Sequence, residues 1–339
     1  MISQHPPRWR NARARRIAFL AHVFGMTLAA VYSSIPPAFA AYPERPIRYI
    51  VPSSPGSGPD IVARILAPEL SRQMGQQFVV DNRPGGSGTI GIDMVVRAVP
   101  DGHTIGYGNI LTLAINRSVL PKLPYDADRD LHPIVQYASV PNLLAVTPSF
   151  PVKSVRELID YAKKNPGKIN YASGGNASSP HLSGELFKFM TDTDIVHVPY
   201  KGFVLAVTDL TQERVQTMFA TLSVIEPFVK AGKLWGLAVT SLKRSRIFPE
   251  LPTVAESGVP GFEVVAGNGA IAPAKVPQAI VARLNAEINK ALASAPVREK
   301  LVGLGYEIVG GTPEQFAAFI SKETAKWAAV VKRASVKID

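Results

Sequence analysis

Short β-branched runs alternate along this chain with stretches of helical character, and that alternation restricts the fold more than any other feature. Residues 47–51, 78–80, 104–107 and 134–137 read as strands, as do 143–146, 195–198, 217–219, 234–239 and 262–265. Between them, Ser154-Val155-Arg156-Glu157 is a capping box that opens a helix to about Lys164, and Pro166-Gly167 stops it. Thr312-Pro313-Glu314-Gln315 starts another, with proline at the first helical position. It sets Phe316, Phe319, Ile320, Trp327, Val330 and Val331 along one face. A third helix covers 278–294. Such alternation predicts an α/β protein whose parallel sheets are covered by helices. Pro68 falls inside the helix expected over 59–73, so a kink or split is predicted there.

The 339 residues suggest two domains. The formal charge of +11 is unevenly placed. Residues 1–40 hold Arg8, Arg10, Arg13, Arg15 and Arg16 and no acid, which leaves 32 basic against 26 acidic residues beyond them. That modest excess argues against a nucleic-acid binder, where basic residues cluster in runs. The chain has no cysteine, which removes disulfides, thiolate metal ligands and thiol catalysis together.

The five arginines precede a mostly apolar stretch over 17–30, and Ala38-Phe39-Ala40 is a small-x-small site. This is the layout of a signal peptide over 1–40, cleaved after Ala40, with export to the periplasm. The alternative is a short membrane anchor, but the apolar stretch is shorter than the roughly 20 residues a spanning helix needs.

Two loops stand out. Pro52-Ser53-Ser54-Pro55-Gly56-Ser57-Gly58-Pro59-Asp60 joins the first strand to the first helix. Tyr171-Ala172-Ser173-Gly174-Gly175-Asn176-Ala177-Ser178-Ser179 joins a later strand to a later helix. Small residues at a helix N-terminus expose backbone N–H groups where the macrodipole favours an anion. Each loop also reads as a plain capped helix start; two of them, in two halves of the chain, suit one ligand gripped between them. His181 stands near the second loop as a donor or as a packed histidine. Gly86-Ser87-Gly88-Thr89-Ile90-Gly91 matches G-x-G-x-x-G. Four residues, Asp81-Asn82-Arg83-Pro84, separate the strand from the glycines, and residues 105–113 lack the acid that a dinucleotide ribose requires. No two of the histidines beyond the leader, His103, His132, His181 and His197, are spaced as metal ligands on one helix. Catalytic signatures are absent: no G-x-S-x-G and no G-x-x-x-x-G-K-[ST]. Ser173 or Ser178 with His181 is the nearest approach to a nucleophile pair.

Tyr42-Pro43-x-x-Pro46-Ile47-Arg48, Asp60-Ile61-Val62-Ala63-Arg64 and Asp81-Asn82-Arg83-Pro84-Gly85 together resemble one family. So do Pro100-Asp101-Gly102, Leu123-Pro124-Tyr125-Asp126, Asn170-Tyr171-Ala172-Ser173 and His197-Val198-Pro199-Tyr200-Lys201-Gly202. Leu237-Ala238-Val239-Thr240-Ser241 and Leu251-Pro252-Thr253-Val254-Ala255-Glu256 complete the set, in order over 42–335. The family is the Bug receptors, periplasmic solute-binding proteins of tripartite tricarboxylate transporters.

The resemblance implies a periplasmic binding protein type II-like fold, with two α/β lobes and a ligand cleft between them. The lobes expected are 42–140 plus 265–339, and 141–264. It implies a small organic anion held by backbone amides and hydroxyls, with no catalysis, no cofactor and no metal. Carried over by position, first-lobe contacts come from Ser53, Ser54, Pro55, Gly56, Ser57, Gly58, Asn109 and Thr112. Second-lobe contacts come from Ser173, Gly175, Asn176, Ser178, Ser179, His181, Tyr200, Lys201, Gly202, Ala220 and Thr221. Many relatives carry an aromatic at Ser53 and an aspartate at Ala220. Loss of that acid points to a non-amino carboxylate: a di- or tricarboxylate or an aromatic acid. The expected partners are that ligand and the transporter's membrane permease subunits, with no nucleic acid, and the expected state is a monomer. A sensor that presents its ligand to a signalling partner is the alternative role; an α/β hydrolase is a third.

Overall fold

Residues 1–44 and 45–339 are separate units, and every strand and helix among the described residues belongs to the second. The computed structural model describes residues 42–176 and 178–334. The expected leader, with Ala38-Phe39-Ala40, and Ala177 in the second loop lie outside the described residues.

The first strands and helices alternate as the β-branched pattern requires. β1 (Ile47–Val51), β2 (Phe78–Asn82) and β3 (Thr104–Asn109) are linked through α1 (Gly58–Met74) and α2 (Thr89–Val96). β1 lies between β2 and β3, parallel to both, because strand pairs of that sense need a crossover between them. α1 passes through Pro68 without dividing, so the expected split is corrected. Proline deprives one carbonyl of its partner, but Val62, Ala63, Leu66, Ala67 and Leu70 bury the helix face on either side of it.

One long strand organises the rest. Residues 134–137 and 143–146, read as two strands, are parts of β4 (Leu131–Val146), 16 residues long. The chain continues through α3 (Val155–Lys164), β5 (Asn170–Ser173), α4 (Ser179–Thr191), β6 (Val196–Pro199) and α5 (Phe203–Thr211). Then come β7 (Thr217–Thr221), α6 (Leu222–Lys230), β8 (Trp235–Val239) and β9 (Val265–Pro273). α7 (Gln278–Ala293), α8 (Ala295–Gly303), β10 (Glu307–Gly310) and α9 (Pro313–Ala334) close the described chain.

From Leu131 to Pro141, β4 pairs antiparallel with β9; from Asn142 to Val146 it pairs with β7, and from Leu143 to Val146 with β8. The exchange falls at Pro141, which has no N–H to give to a ladder. Two register shifts between β4 and β9 bend the pair, as bulges do, and the sheet curls. Thr240 stitches the crossing: its Oγ1 accepts from Asn142 N at 2.7 Å and donates to Val264 O at 2.6 Å. The expected strand over 262–265 is also corrected. Phe262 and Val264 are buried, but as irregular chain, and pairing begins at Val265. Bulky β-formers signal a packed position as much as a ladder.

Capping behaves as the sequence predicts. Ser154 accepts from Glu157 N, and Thr312 and Gln315 exchange reciprocal bonds at the start of α9. The apolar stripe of α9 is buried except at half-buried Phe319. Phe316 and Ile320 pack with Ile92, Val95 and Ile271, whereas Trp327, Val330 and Val331 pack with Leu182, Leu186 and Phe187 of α4. At 1.5 Å per residue its 22 residues span about 33 Å, enough to serve both cores.

Candidate functional site

A cavity of about 410 Å³ opens where several helices begin, and its rim follows from their first residues. Gly58 and Pro59 start α1; Ser178 caps α4, with Ser179 and Pro180 in its first turn; Thr221 precedes α6, with Ser223 in its first turn. Helix starts leave N–H groups without intrahelical acceptors and carry positive dipole charge. Three such starts therefore face one cavity, where the sequence predicted two. Among the described residues, no Asp, Glu, Lys, Arg or His lines it. Tyr306 adds a hydroxyl, which would stand 3.4 Å from a Cβ built on Gly58.

α4 is held at this rim by contacts made far from it in sequence. Asn142, fully buried on the crossing strand, donates to Ser179 Oγ at 2.7 Å and to Ser183 Oγ at 2.9 Å. Gly184 lets the helix lie on Tyr171, because a Cβ there would fall 2.3 Å from the tyrosine ring. Ser178 Oγ donates to Gly175 O at 2.7 Å and accepts from His181 N, closing the turn before the helix.

Of the residues singled out from sequence, Gly58, Asn109, Ser178, Ser179 and Thr221 line the cavity. Ser53, Ser54, Pro55, Gly56, Ser57, Thr112, Ser173, Gly175, Asn176, His181, Tyr200, Lys201 and Ala220 do not. The first loop satisfies itself. Gly56 N donates to Asp60 Oδ2 at 2.8 Å, Ser57 N to Ser54 O at 3.2 Å, and the Ser53 and Ser57 hydroxyls bond each other. The protein's own carboxylate thus takes a donor that the sequence pattern offered to a ligand. Burial opposes ionisation of Asp60, but hydrogen bonds from Arg64, Gly56 and Asn82 outweigh it and hold the carboxyl below its ordinary range. Thr112, also buried, braces Asn109, whose Oδ1 accepts from Thr112 N at 3.0 Å. Tyr200 donates to Asp209 at 2.8 Å, Lys201 is exposed, Asn176 is half-buried and Ala220 is fully buried within β7.

His181 is buried and does not line the cavity. Its ring stacks on His197 with centroids 3.8 Å apart and planes 5° apart, and Tyr171 extends the stack. Burial, helped by Lys188, pushes the His181 pKa down to about 4. Burial, with His181 beside it, pushes His197 to about 3. Ser173 Oγ lies 2.7 Å from His197 Nε2, a serine–histidine contact, but Ser173 is fully buried and also bonds Gly175. The pair supports the second loop. The G-x-G-x-x-G segment is likewise structural: Gly91 packs against Pro52, where a Cβ would meet Pro52 Cα at 2.8 Å.

Sequence reasoning missed the walls. Tyr107, Ile110, Leu111, Ile115, Val140, Leu182, Phe203, Val224, Tyr306 and Trp327 line the cavity, drawn from segments up to 220 residues apart. For Trp327 the signal was visible, since it stood on the apolar face of the last helix, but that face read only as core.

Helix starts gathered around one apolar-walled cavity, on a sheet whose longest strand serves both of its parts, define a ligand-capturing α/β binding protein. A family described as tripartite tricarboxylate transporter family receptor matches residues 62–336, and the chain belongs to it. The UPF0065 protein in the tcbD–tcbE intergenic region of Pseudomonas sp. strain P51 is 40% identical over 329 residues, 96% of each chain. Protein BugT of Bordetella pertussis is 35% identical over 317 residues, 93% of this chain and 97% of BugT, in keeping with the Bug resemblance. Among solved structures, R. palustris Rpa4515 with adipate is 39% identical with a TM-score of 0.76, covering 88% of this chain and all of that one. MatC from Rhodopseudomonas palustris with bound malate is 31% identical with a TM-score of 0.73, covering 86% of this chain and all of MatC.

Proposed function

We propose that the protein captures a small non-amino carboxylate in this cavity and delivers it to the membrane permease subunits of a tripartite tricarboxylate transporter. The observation that carries the reading is the rim: three helix starts and no charged side chain among the described residues. Such a rim stabilises a carboxylate through N–H groups and dipoles. It offers nothing to an ammonium, whose desolvation needs an acid partner. Relatives that hold adipate and malate agree with a carboxylate ligand. Gly58, Asn109, Ser178, Ser179 and Thr221 are the contacts; Asn142, Thr112, Ser173 and His181 position them.

The exchange of β4 partners at Pro141–Asn142 supports a division into lobes of 42–140 plus 265–339 and 141–264. Their closure on the ligand is the transport-competent state, favoured because the ligand contacts both lobes only when closed. Residues 1–40 serve as the export signal, removed after Ala40, and the exported chain works in the periplasm as a monomeric receptor without cofactor. A thermal-shift screen against organic acids and amino acids tests this. At a hundred times Kd a ligand adds about 2.7 kcal/mol of stability, which raises Tm by a few degrees. Shifts with glutamate or aspartate and with no carboxylate lacking an amine would defeat it.

A further inference from the structure

The cavity's walls differ in chemistry from its rim. Of its lining residues, Leu111, Ile115, Leu182 and Trp327 belong to one apolar cluster, and Val140, Phe203 and Val224 belong to a second. Trp327 cannot offer its indole N–H to a ligand. That group donates to Glu323 Oε2 at 2.8 Å, and the second oxygen of Glu323, itself buried, accepts from Lys326 Nζ at 2.7 Å. What Trp327 has left for the cavity is ring carbon. The volume of about 410 Å³ is room for several waters. Waters against such walls find few partners, so apolar matter that displaces them gains affinity. A second or third carboxylate placed against those apolar residues would lose its hydration without replacement.

Building on the reading of the cavity as a carboxylate site, we propose that its ligand carries the acid at the end of an apolar body. That body is an aromatic ring or a chain of five or more carbons. The carboxylate meets the helix starts, and the body lies against residues of the two apolar clusters. Compact hydroxy acids with two or three carboxylates, such as malate and citrate, are poor ligands. Leu111 and Val224, half-buried lining residues from the two clusters, set the preference.

Titration calorimetry of the protein with straight-chain monocarboxylates from propionate to octanoate, and with benzoate, malate and citrate, decides the matter. Each buried methylene should raise affinity about fourfold, the equivalent of about 0.8 kcal/mol, until the cavity is full. Benzoate should bind more tightly than propionate, and malate and citrate at least tenfold more weakly than octanoate. In Leu111→Gln octanoate should lose about tenfold and propionate much less; if that variant does not fold, the wild-type series still decides. A flat series, or citrate or malate as the tightest ligand, overturns the proposal and leaves the carboxylate reading intact. Absence of binding by every acid in the set overturns both.

Discussion

Replacing Gly58 by alanine should separate folding from ligand capture. Gly58 opens α1, lines the cavity and has no positive φ, so alanine fits its backbone. The new Cβ would stand 3.4 Å from the Tyr306 hydroxyl, ordinary van der Waals contact, so the empty protein has no reason to shift. Alanine in place of glycine at a compatible site stabilises by about 0.4–1 kcal/mol, through lost freedom of the unfolded chain. With an unfolding entropy of about 2.1 cal/mol/K per residue, Tm should rise by roughly 1–2 °C. Binding should move the other way. The methyl occupies space beside the Tyr306 hydroxyl at the start of α1, where the proposed site puts a carboxylate oxygen. Loss of a charge-assisted hydrogen bond is worth about 1.5–3 kcal/mol, or roughly ten- to a hundredfold in Kd. Differential scanning fluorimetry of the empty variant, with calorimetry on the tightest acid of the screen, reads both numbers. Wild-type affinity in a variant of unchanged or higher Tm would refute the placement of the carboxylate at α1.

Three further outcomes are expected. Ser178→Ala removes the α4 cap and should cost about 1 kcal/mol of stability, seen as a lower denaturation midpoint; an unchanged midpoint would show that the bonds to His181 N and Gly175 O carry no weight. Asn142→Ala leaves the Ser179 and Ser183 hydroxyls without their buried donor and should cost about 1–3 kcal/mol; ligand affinity should fall with it, and a variant as stable and as tight as wild type would remove Asn142 from the positioning role. Acidification should destabilise the protein between about pH 6.5 and pH 3. The unfolded chain protonates His181 and His197 below about 6.5, whereas the folded chain, with values near 4 and 3, does not. Stability is therefore full above that window and falls through it, with His181 alone accounting for roughly 2 kcal/mol at pH 5. A urea midpoint that is flat from pH 7 to pH 5 would contradict the buried, neutral histidine stack.

Local signals were legible because their physics is local. The capping boxes at Ser154 and Thr312, the β–α alternation and the stripe from Phe316 to Val331 each depend on residues a few positions apart. The two glycine- and serine-rich loops also announced helix starts, and both starts reach the cavity, through Gly58 and through Ser178 and Ser179. What each donor does was not legible. Nothing within the first loop says that Asp60 turns back onto Gly56, or that Ser173 meets a histidine 24 residues on. The apolar runs over 134–137 and 143–146 carry no mark that they form one strand, because its course is set by partners at 217–221, 235–239 and 265–273. The third helix start at Thr221 and the walls from Leu111, Leu182 and Trp327 likewise exist only once the sheet has curled and α9 has crossed it. Periodicity and capping report what a segment becomes. Which segments meet depends on non-local pairing and burial, so the ends of the helices were written in the sequence and the cavity between them was made by the tertiary structure.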